Sequence, residues 1–372
     1  MLIWLLHHFG PLLERLEPFA AGETRVFLTT RTALASLTSF LIAVIMGPRA
    51  IAWLKTRFRE RIASDSARLN EIQAKKNLTP TMGGLFILGA VLTSVLLWGD
   101  LSSRYVQLGL LVALGMGALG AVDDWIKLRS RRNGLSVRQK LLGQIVIALA
   151  AGWVLYAHHR LHPLGLELIW PIGGGALGPR TLGLGAGFIL WSMFVLVGSS
   201  NAVNLTDGLD GLAGGCMIFA GSAFVALTYL AGHKVMAEYL NIPYFAGAGE
   251  LSVVLGATVG AVLGFLWFNC YPAQVFMGDT GSLPLGGLIG LAALVTRQEA
   301  LLVIVGGVFV LETLSVILQV GWFRCTGSRI LACSPLHNHF LFRGEHEMKI
   351  VVRFWIGAAL LAIVGVASLK IR

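Results

Sequence analysis

Residues 250–296 read ELSVVLGATVGAVLGFLWFNCYPAQVFMGDTGSLPLGGLIGLAALVT. Two apolar runs, at about 250–268 and 284–296, flank a linker whose only charged side chain is Asp279. Working outward, further apolar runs occur at about 32–54, 82–98, 105–124, 140–157, 183–200, 211–231, 299–320 and 350–369, which makes ten. The 372-residue chain is 56% hydrophobic and 13% charged, against roughly 25% charged in a soluble domain. Ten spans of about 20 residues account for that apolar fraction. A soluble enzyme of this length cannot bury so much apolar surface in one or two cores. Disorder, collagen and a disulfide scaffold are excluded by the same figures. The expected fold is all-α and integral to the membrane. It is a single domain over 1–372, a bundle of about ten transmembrane helices.

The net charge of +10 raises nucleic acid as a partner. The basic residues, however, lie in short loops between apolar runs, so membrane lipids are the expected partner and nucleic acid is not. With ten spans the loops alternate between two sides. One side carries Lys55, Arg57, Arg59, Arg61, Arg68, Lys75, Lys76, Lys127, Arg129, Arg131, Arg132, Arg138, Lys140, Arg324, Arg329, Arg343, Lys349 and Arg353. The other carries Arg104, Arg160, Arg180, Lys234 and Arg297. Basic residues favour the cytoplasmic side, so the first side is cytoplasmic and both termini are expected outside. Residues 1–24 lack a basic start and a cleavage site, and read as an interfacial amphipathic segment. Cys216, Cys270, Cys325 and Cys333 form no paired spacing and read as scattered small hydrophobes.

Small residues recur every fourth position at Gly256, Gly260 and Gly264, at Gly286 and Gly290, and at Gly211 and Gly215. Such rows let helix backbones approach in lipid. The GxGxxG at Gly115, Gly117 and Gly120 lies inside a span, and so does not indicate a dinucleotide site. Gly173, Gly174 and Gly175, between Pro171 and Pro179, predict a turn or short hairpin on the outer side.

The acids carry the functional signal. Asp123 and Asp124 end the third span in AVDDW, Asn201, Asn204, Asp207 and Asp210 follow the fifth in SSNAVNLTDGLDGL, and Asp279 follows the seventh. The topology puts all three groups at the cytoplasmic face without having used them. The loops at 201–210 and 269–283 contain no Lys or Arg. Clustered carboxylates without cations repel and are expensive near hydrocarbon. A hard divalent cation resolves this, because Mg²⁺ takes a few carboxylate oxygens plus water and phosphates. Helix capping is the competing reading for any single acid. The steps of three from Asn201 to Asp210 place those residues along a drifting helical face, which Gly208 and Gly211 interrupt.

Lys75 and Lys76 precede Thr79-Pro80-Thr81-Met82-Gly83-Gly84, and the last cytoplasmic loop supplies His337 and His339 in SPLHNHF. Cations and hydroxyls around a carboxylate-held metal suit a phosphate or diphosphate. The neighbouring acids argue against the histidines as zinc ligands. Glu312 lies mid-span, either as a functional ionisable group or as a hydrogen-bonded structural one.

The stretches TPTMGG (79–84), AVDD (121–124), NAVNLTDGLDGL (201–212), FLWFNCYPAQVFMGDTGSL (265–283), ETLSVILQVGWF (312–323) and VVRFWI (351–356) resemble the phospho-N-acetylmuramoyl-pentapeptide transferases. These enzymes, also called translocase I, are a branch of the polyprenyl-phosphate N-acetylhexosamine-1-phosphate transferases. The resemblance implies an Mg²⁺-dependent site in the bacterial inner membrane, facing the cytoplasm. It implies transfer of phospho-MurNAc-pentapeptide from UDP-MurNAc-pentapeptide to undecaprenyl phosphate, giving lipid I and UMP, the first membrane step of peptidoglycan synthesis. A homodimer is compatible with it.

By the same resemblance Asp279 matches the metal-binding aspartate. Asp123 and Asp124 match the paired catalytic aspartates, the first as candidate base. Lys76, Asn204, Asp207, Asp210 and Phe276 match nucleotide-site positions, with Phe276 placed to stack on uracil, and Gln319 matches a further pocket residue. Thr81, Asn201, His337 and His339 complete the expected substrate-binding set. Three departures bear on the sugar-peptide end. Asn338 stands where the family has a histidine, Leu78 where it has a glycine, and RGEHEMK replaces its usual WPEP. An amide at 338 can donate a hydrogen bond but cannot be protonated.

Two other functions fit part of the pattern: a UDP-GlcNAc:polyprenyl-phosphate GlcNAc-1-phosphate transferase, and an ion-coupled transporter built on broken helices. No repeated halves are visible, and the acids lie at span ends rather than at the midplane, which disfavours transport.

Overall fold

A computed structural model describes residues 28–57, 76, 79–129, 134–170 and 181–371. The interfacial segment expected at 1–24, and Arg59, Arg61, Arg68, Lys75, Arg131, Arg132 and Arg180 of the charge count, lie outside the described residues. The helices are α1 (Leu28–Arg57), α2 (Gly84–Trp98), α3 (Arg104–Arg129), α4 (Val137–His159), α5 (Phe188–Thr206), α6 (Leu212–Ala231), α7 (Lys234–Tyr239), α8 (Glu250–Asn269), α9 (Asp279–Thr296), α10 (Glu299–Val305), α11 (Gly307–Thr326), α12 (Leu336–Phe342) and α13 (Glu347–Ser368). Two short strands, β1 (Glu167–Ile169) and β2 (Thr181–Gly183), pair antiparallel with Leu168 opposite Leu182. They bracket residues 171–180, and the turn or hairpin expected at Gly173, Gly174 and Gly175 lies outside the described residues.

Nine helices among the described residues are long and apolar enough to cross a membrane, and α2, with 15 residues, is a shorter apolar helix. The chain is a multi-pass membrane protein. The ten predicted runs each coincide with a helix, with three shifts. The run at 183–200 becomes α5, Phe188–Thr206, so Asn201 and Asn204, expected in the loop after it, lie on the helix. The run at 284–296 begins earlier: α9 starts at Asp279 and contains Pro284. The run at 299–320 is two helices, α10 and α11, joined at Gly306, a residue type that commonly breaks or kinks a helix.

α9 is the axis. All 18 of its residues are buried, as expected of a helix apolar on every side. It packs against α3 and α5, and to a lesser extent α6 and α2. α8 packs most extensively on α1, and its glycine row makes this approach possible. A methyl group at Gly256 would lie 2.9 Å from the Thr32 carbonyl oxygen, and one at Gly264 would lie 2.8 Å from that of Phe40. Close backbone contact of this kind replaces the hydrophobic drive that lipid does not supply.

One end of the bundle is locked by ion pairs. Arg31 of α1 reaches Glu250 at the start of α8 with Nη2–Oε1 at 2.6 Å and Nη1–Oε2 at 3.1 Å, and also donates to the Trp98 carbonyl at 3.2 Å. Both residues are at most 3% exposed. At the same end Arg297 donates from Nε and Nη2 to the Glu167 carbonyl, tying the hairpin to the exit of α9. Removing one partner of a buried pair strands the other's charge, at a cost of about 3–5 kcal/mol. Arg31→Met should therefore lower the thermal unfolding midpoint in detergent by several degrees, and Arg31→Met/Glu250→Leu should recover most of the loss.

Candidate active site

The opposite end of the bundle gathers the polar residues. There the start of α9 meets the end of α3. Asp124 accepts from the backbone N–H groups of Asp279 (3.2 Å) and Thr280 (2.9 Å) and from Thr280 Oγ1 (2.7 Å). An α-helix leaves its first N–H groups unpaired, and Asp124 satisfies two of them from a neighbouring helix. Two glycines make room. Gly120, one turn earlier on α3, abuts the Asp279 carbonyl. Gly278 has φ +72°, and a Cβ there would lie 2.6 Å from Asp124 Oδ2. Capping, the competing reading of these acids, therefore describes Asp124.

Asp123, Asp124 and Asp279 are all buried, and each offers a carboxylate oxygen within 4.8 Å of the others. Lys127, one turn beyond Asp123, places Nζ 2.8 Å from Asp123 Oδ2, 3.6 Å from Asp124 Oδ1 and 3.1 Å from Asp279 Oδ2. Lys140 of α4 lies 2.6 Å from Asp279 Oδ2. Asp123 Oδ1 accepts from the Leu135 N–H at 2.8 Å. Asn204, at the end of α5, donates to Asp279 Oδ1 (2.6 Å) and Ser282 Oγ (2.8 Å). This all-oxygen carboxylate set suits a hard cation rather than a soft one, so the cluster can hold a metal ion.

Asp207 follows α5 directly. Burial, then the negative charge of Asp279, Asp124 and Asp210, pushes its carboxyl up to about 7. Asp210 belongs to a second network: Lys76 Nζ lies 2.6 Å from Asp210 Oδ1 and 2.6 Å from Glu347 Oε1. The Asp210 N–H donates to Glu347 Oε1 and the Ala273 N–H to Asp210 Oδ2. Thr79–Gly84 pairs with the linker before α9, because Phe276 N–H donates to the Pro80 carbonyl and Gly83 N–H to that of Phe276, both at 2.8 Å. This seats Phe276, half-buried, beside the buried Thr81.

The remaining predicted residues have other partners. Asn201 donates to Gln144 of α4 at 2.9 Å, one helical turn from the acid cluster. Gln319 accepts from the N–H groups of Ile330 and Leu331, and His339 from that of Ala332, so both hold the last loop. His337 is 1% exposed and pairs with Glu312.

Sequence reasoning missed Lys127, Lys140, Thr280, Ser282 and Glu347 at this site. The two lysines read as topology signal in the sequence, although the i,i+4 spacing of Asp123 and Lys127 places both on one helix face. Glu347 carried no sequence signal, since its partners lie far away in the chain.

An apolar groove runs between α5 and the α10–α11 pair. Phe194, Val195 and Val203 line one wall, and Leu302, Phe309 and Ile317 the other. Its inner end adjoins Asn204 in sequence. Trp191 and Glu299 lie at its outer end.

Residues 106–297 match the family described as Glycosyl transferase family 4. The chain is 49% identical over 349 residues to a phospho-N-acetylmuramoyl-pentapeptide-transferase of Nitratidesulfovibrio vulgaris, covering 93% of this chain and 94% of that one. It is 47% identical over 357 residues to a protein of the same name from Solidesulfovibrio magneticus, covering 95% and 97%.

The raised Asp207 carboxyl gives a signed pH dependence. The folded protein holds this proton up to about 7, whereas an unfolded Asp loses it near ~3.9. Between these values the unfolded chain binds fewer protons, so stability falls as pH rises through the window and is level above it. In chelator, the unfolding midpoint of the wild type should fall relative to Asp207→Asn between pH 5 and pH 8. Parallel curves would show that Asp207 ionises as it does in water.

Proposed function

We propose that this chain, which belongs to the phospho-N-acetylmuramoyl-pentapeptide transferases within glycosyl transferase family 4, transfers phospho-MurNAc-pentapeptide from UDP-MurNAc-pentapeptide to undecaprenyl phosphate. The products are lipid I and UMP. The observation that carries the reading is the meeting of Asp123, Asp124 and Asp279 at one end of the bundle; an apolar groove runs along α5 as far as Val203, next to Asn204 in the chain. A reaction joining a water-soluble diphosphate to a lipid phosphate needs both features in one place. The whole chain acts as one transferase domain.

An oxygen of the lipid phosphate attacks the β-phosphorus of the donor. The new phosphorus–oxygen bond forms as the bond to the bridging oxygen breaks, and UMP leaves with that electron pair. Asp279, with Asp123 and Asp124 beside it, would hold Mg²⁺, which neutralises diphosphate charge and steadies the departing phosphate. Lys127 and Lys140 add positive charge at the same place. Asp123, whose Oδ2 lies 2.8 Å from Lys127 Nζ, takes the proton of a monoprotonated lipid phosphate. Lys76, Asp207, Asp210 and Phe276 hold the nucleotide, with Phe276 offering a face for uracil. Thr81, Asn204 and His339 border the donor, while Asn201 and Gln319 fix the helix and the loop that shape its pocket. The polyprenyl tail lies in the groove between α5 and α11, with its phosphate toward Asn204.

The reactive end faces the cytoplasm of the bacterial inner membrane, with both termini periplasmic. The support is the basic residues at that end, among them Lys76, Lys127, Arg129, Lys140 and Arg324, which by the usual charge bias lie on the cytoplasmic side.

Purified protein should convert UDP-MurNAc-pentapeptide and undecaprenyl phosphate to lipid I with a requirement for Mg²⁺. Asp279→Ala should lower kcat by at least about 10²-fold, and Asp123→Asn should lower it with little change in donor KM. UDP-GlcNAc should give no lipid-linked product; efficient use of it would move the chain to a different branch. Release of UMP without lipid phosphate would contradict direct attack. Val203→Trp should raise KM for the lipid phosphate and leave KM for the donor unchanged.

A further inference from the structure

Glu312 is wholly buried (0% exposed) on α11, although its neighbours Leu311 and Leu314 face outward. Both of its carboxylate oxygens turn to one residue on another element. Oε1 accepts from the backbone N–H of His337 at 3.1 Å, and Oε2 lies 3.1 Å from His337 Nδ1. That backbone N–H is in the first turn of α12, so Glu312 caps this short helix from a distance. An ionised carboxylate only accepts hydrogen bonds. Against an ionised Glu312 the Nδ1 of His337 therefore carries the hydrogen, and in the neutral ring Nε2 keeps its lone pair.

That Nε2 atom is buried and has no hydrogen-bond partner. Its edge of the ring rests on Gly208. A Cβ at 208 would overlap Nε2 itself and would lie 2.8 Å from Cε1 and 3.3 Å from Cδ2. Gly208 follows Asp207 and leads to Asp210, in a turn closed by the Asp207 N–H to the Asn204 carbonyl and the Gly208 N–H to that of Thr206. The contacts thus run from α11 through His337 to the turn bearing two acids of the site. The other face of α11 lines the apolar groove through Phe309, Val310 and Ile317.

We infer that Glu312 is a positioning residue: it locks His337 in the Nδ1–H tautomer and seats the ring on Gly208, which sets the Asp207–Asp210 turn and through it the nucleotide-sugar half of the reaction. The kinetic part of this inference rests on the transferase reading; the tautomer and the contact with Gly208 do not. Glutamine cannot replace the carboxylate, because it offers one acceptor and one donor where two acceptors are used.

The test uses full-length protein in nanodiscs, labelled with ¹⁵N-histidine, with the His337→Ala spectrum assigning one of the nine histidines. The wild-type His337 should report a protonated Nδ1 and a bare Nε2, and E312Q should lose that signature. E312Q should lower kcat/KM for UDP-MurNAc-pentapeptide about 10–100-fold, the range for residues that orient a working group, with KM for the lipid phosphate unchanged. Gly208→Ala should be strongly destabilising alone and at least tenfold milder, in folded fraction, on a His337→Ala background. A protonated Nε2 in the wild type, equal loss toward both substrates in E312Q, or additive effects of Gly208→Ala and His337→Ala would each overturn the inference. If the wild type forms no lipid-linked product, the transferase reading fails, while the tautomer and the coupling still decide the inference.

Discussion

The carboxylate of Asp124, reaching from the end of α3 to the first backbone N–H groups of α9, is the interaction on which the rest depends. α9 is buried along its whole length, so its register decides how the surrounding helices pack. The N-terminus of a helix carries partial positive charge and unpaired donors, and at membrane depth these need a protein partner. Asp124 supplies it with one side chain. Because Asp279 is the first residue of that helix, the same contact fixes the third carboxylate beside the other two. Fold and site are therefore linked by a single group of atoms.

Bringing three acids within 4.8 Å creates repulsion that the bundle must offset. Lys127 touches all three and Lys140 touches Asp279. Both lysines reach in from the sides, on α3 and α4. The groove between α5 and the α10–α11 pair adds an apolar approach, and the joint at Gly306 lines it. The proposed reaction uses all three: the acids and lysines for the phosphates, and the groove for a hydrocarbon chain. The opposite end uses its ions differently: Arg31–Glu250 and the Arg297 contact with Glu167 tie elements together.

Much of this was legible in the sequence. Apolar runs showed where the helices lie, and their alternation brought Asp123, Asp207 and Asp279 to one face before any contact was known. The glycine spacing of α8 foretold its close packing on α1. The start of α9 was not legible, because Asp-Thr-Gly-Ser before Pro284 reads as loop, and the bonds from Asp124 and Asn204 to its first turn come from distant helices. The bend at Gly306 was hidden in a continuous apolar run. Asn201 and Asn204 share a three-residue step yet face different neighbours, since α5 presents one to Gln144 and the other to Asp279. Pairing of Glu312 with His337 and of Lys76 with Glu347 joins distant segments, which local patterns cannot reveal.

The central claim is that one anionic nest, built where α3 meets α9, binds a single hard divalent cation. Electron paramagnetic resonance of Mn²⁺, which shares the octahedral oxygen preference of Mg²⁺, addresses it directly in purified protein. One tightly bound Mn²⁺ per chain is expected, displaced by excess Mg²⁺, lost in Asp279→Asn and weakened in Asp123→Asn. Stoichiometric Mn²⁺ binding that survives the loss of all three aspartates would contradict it.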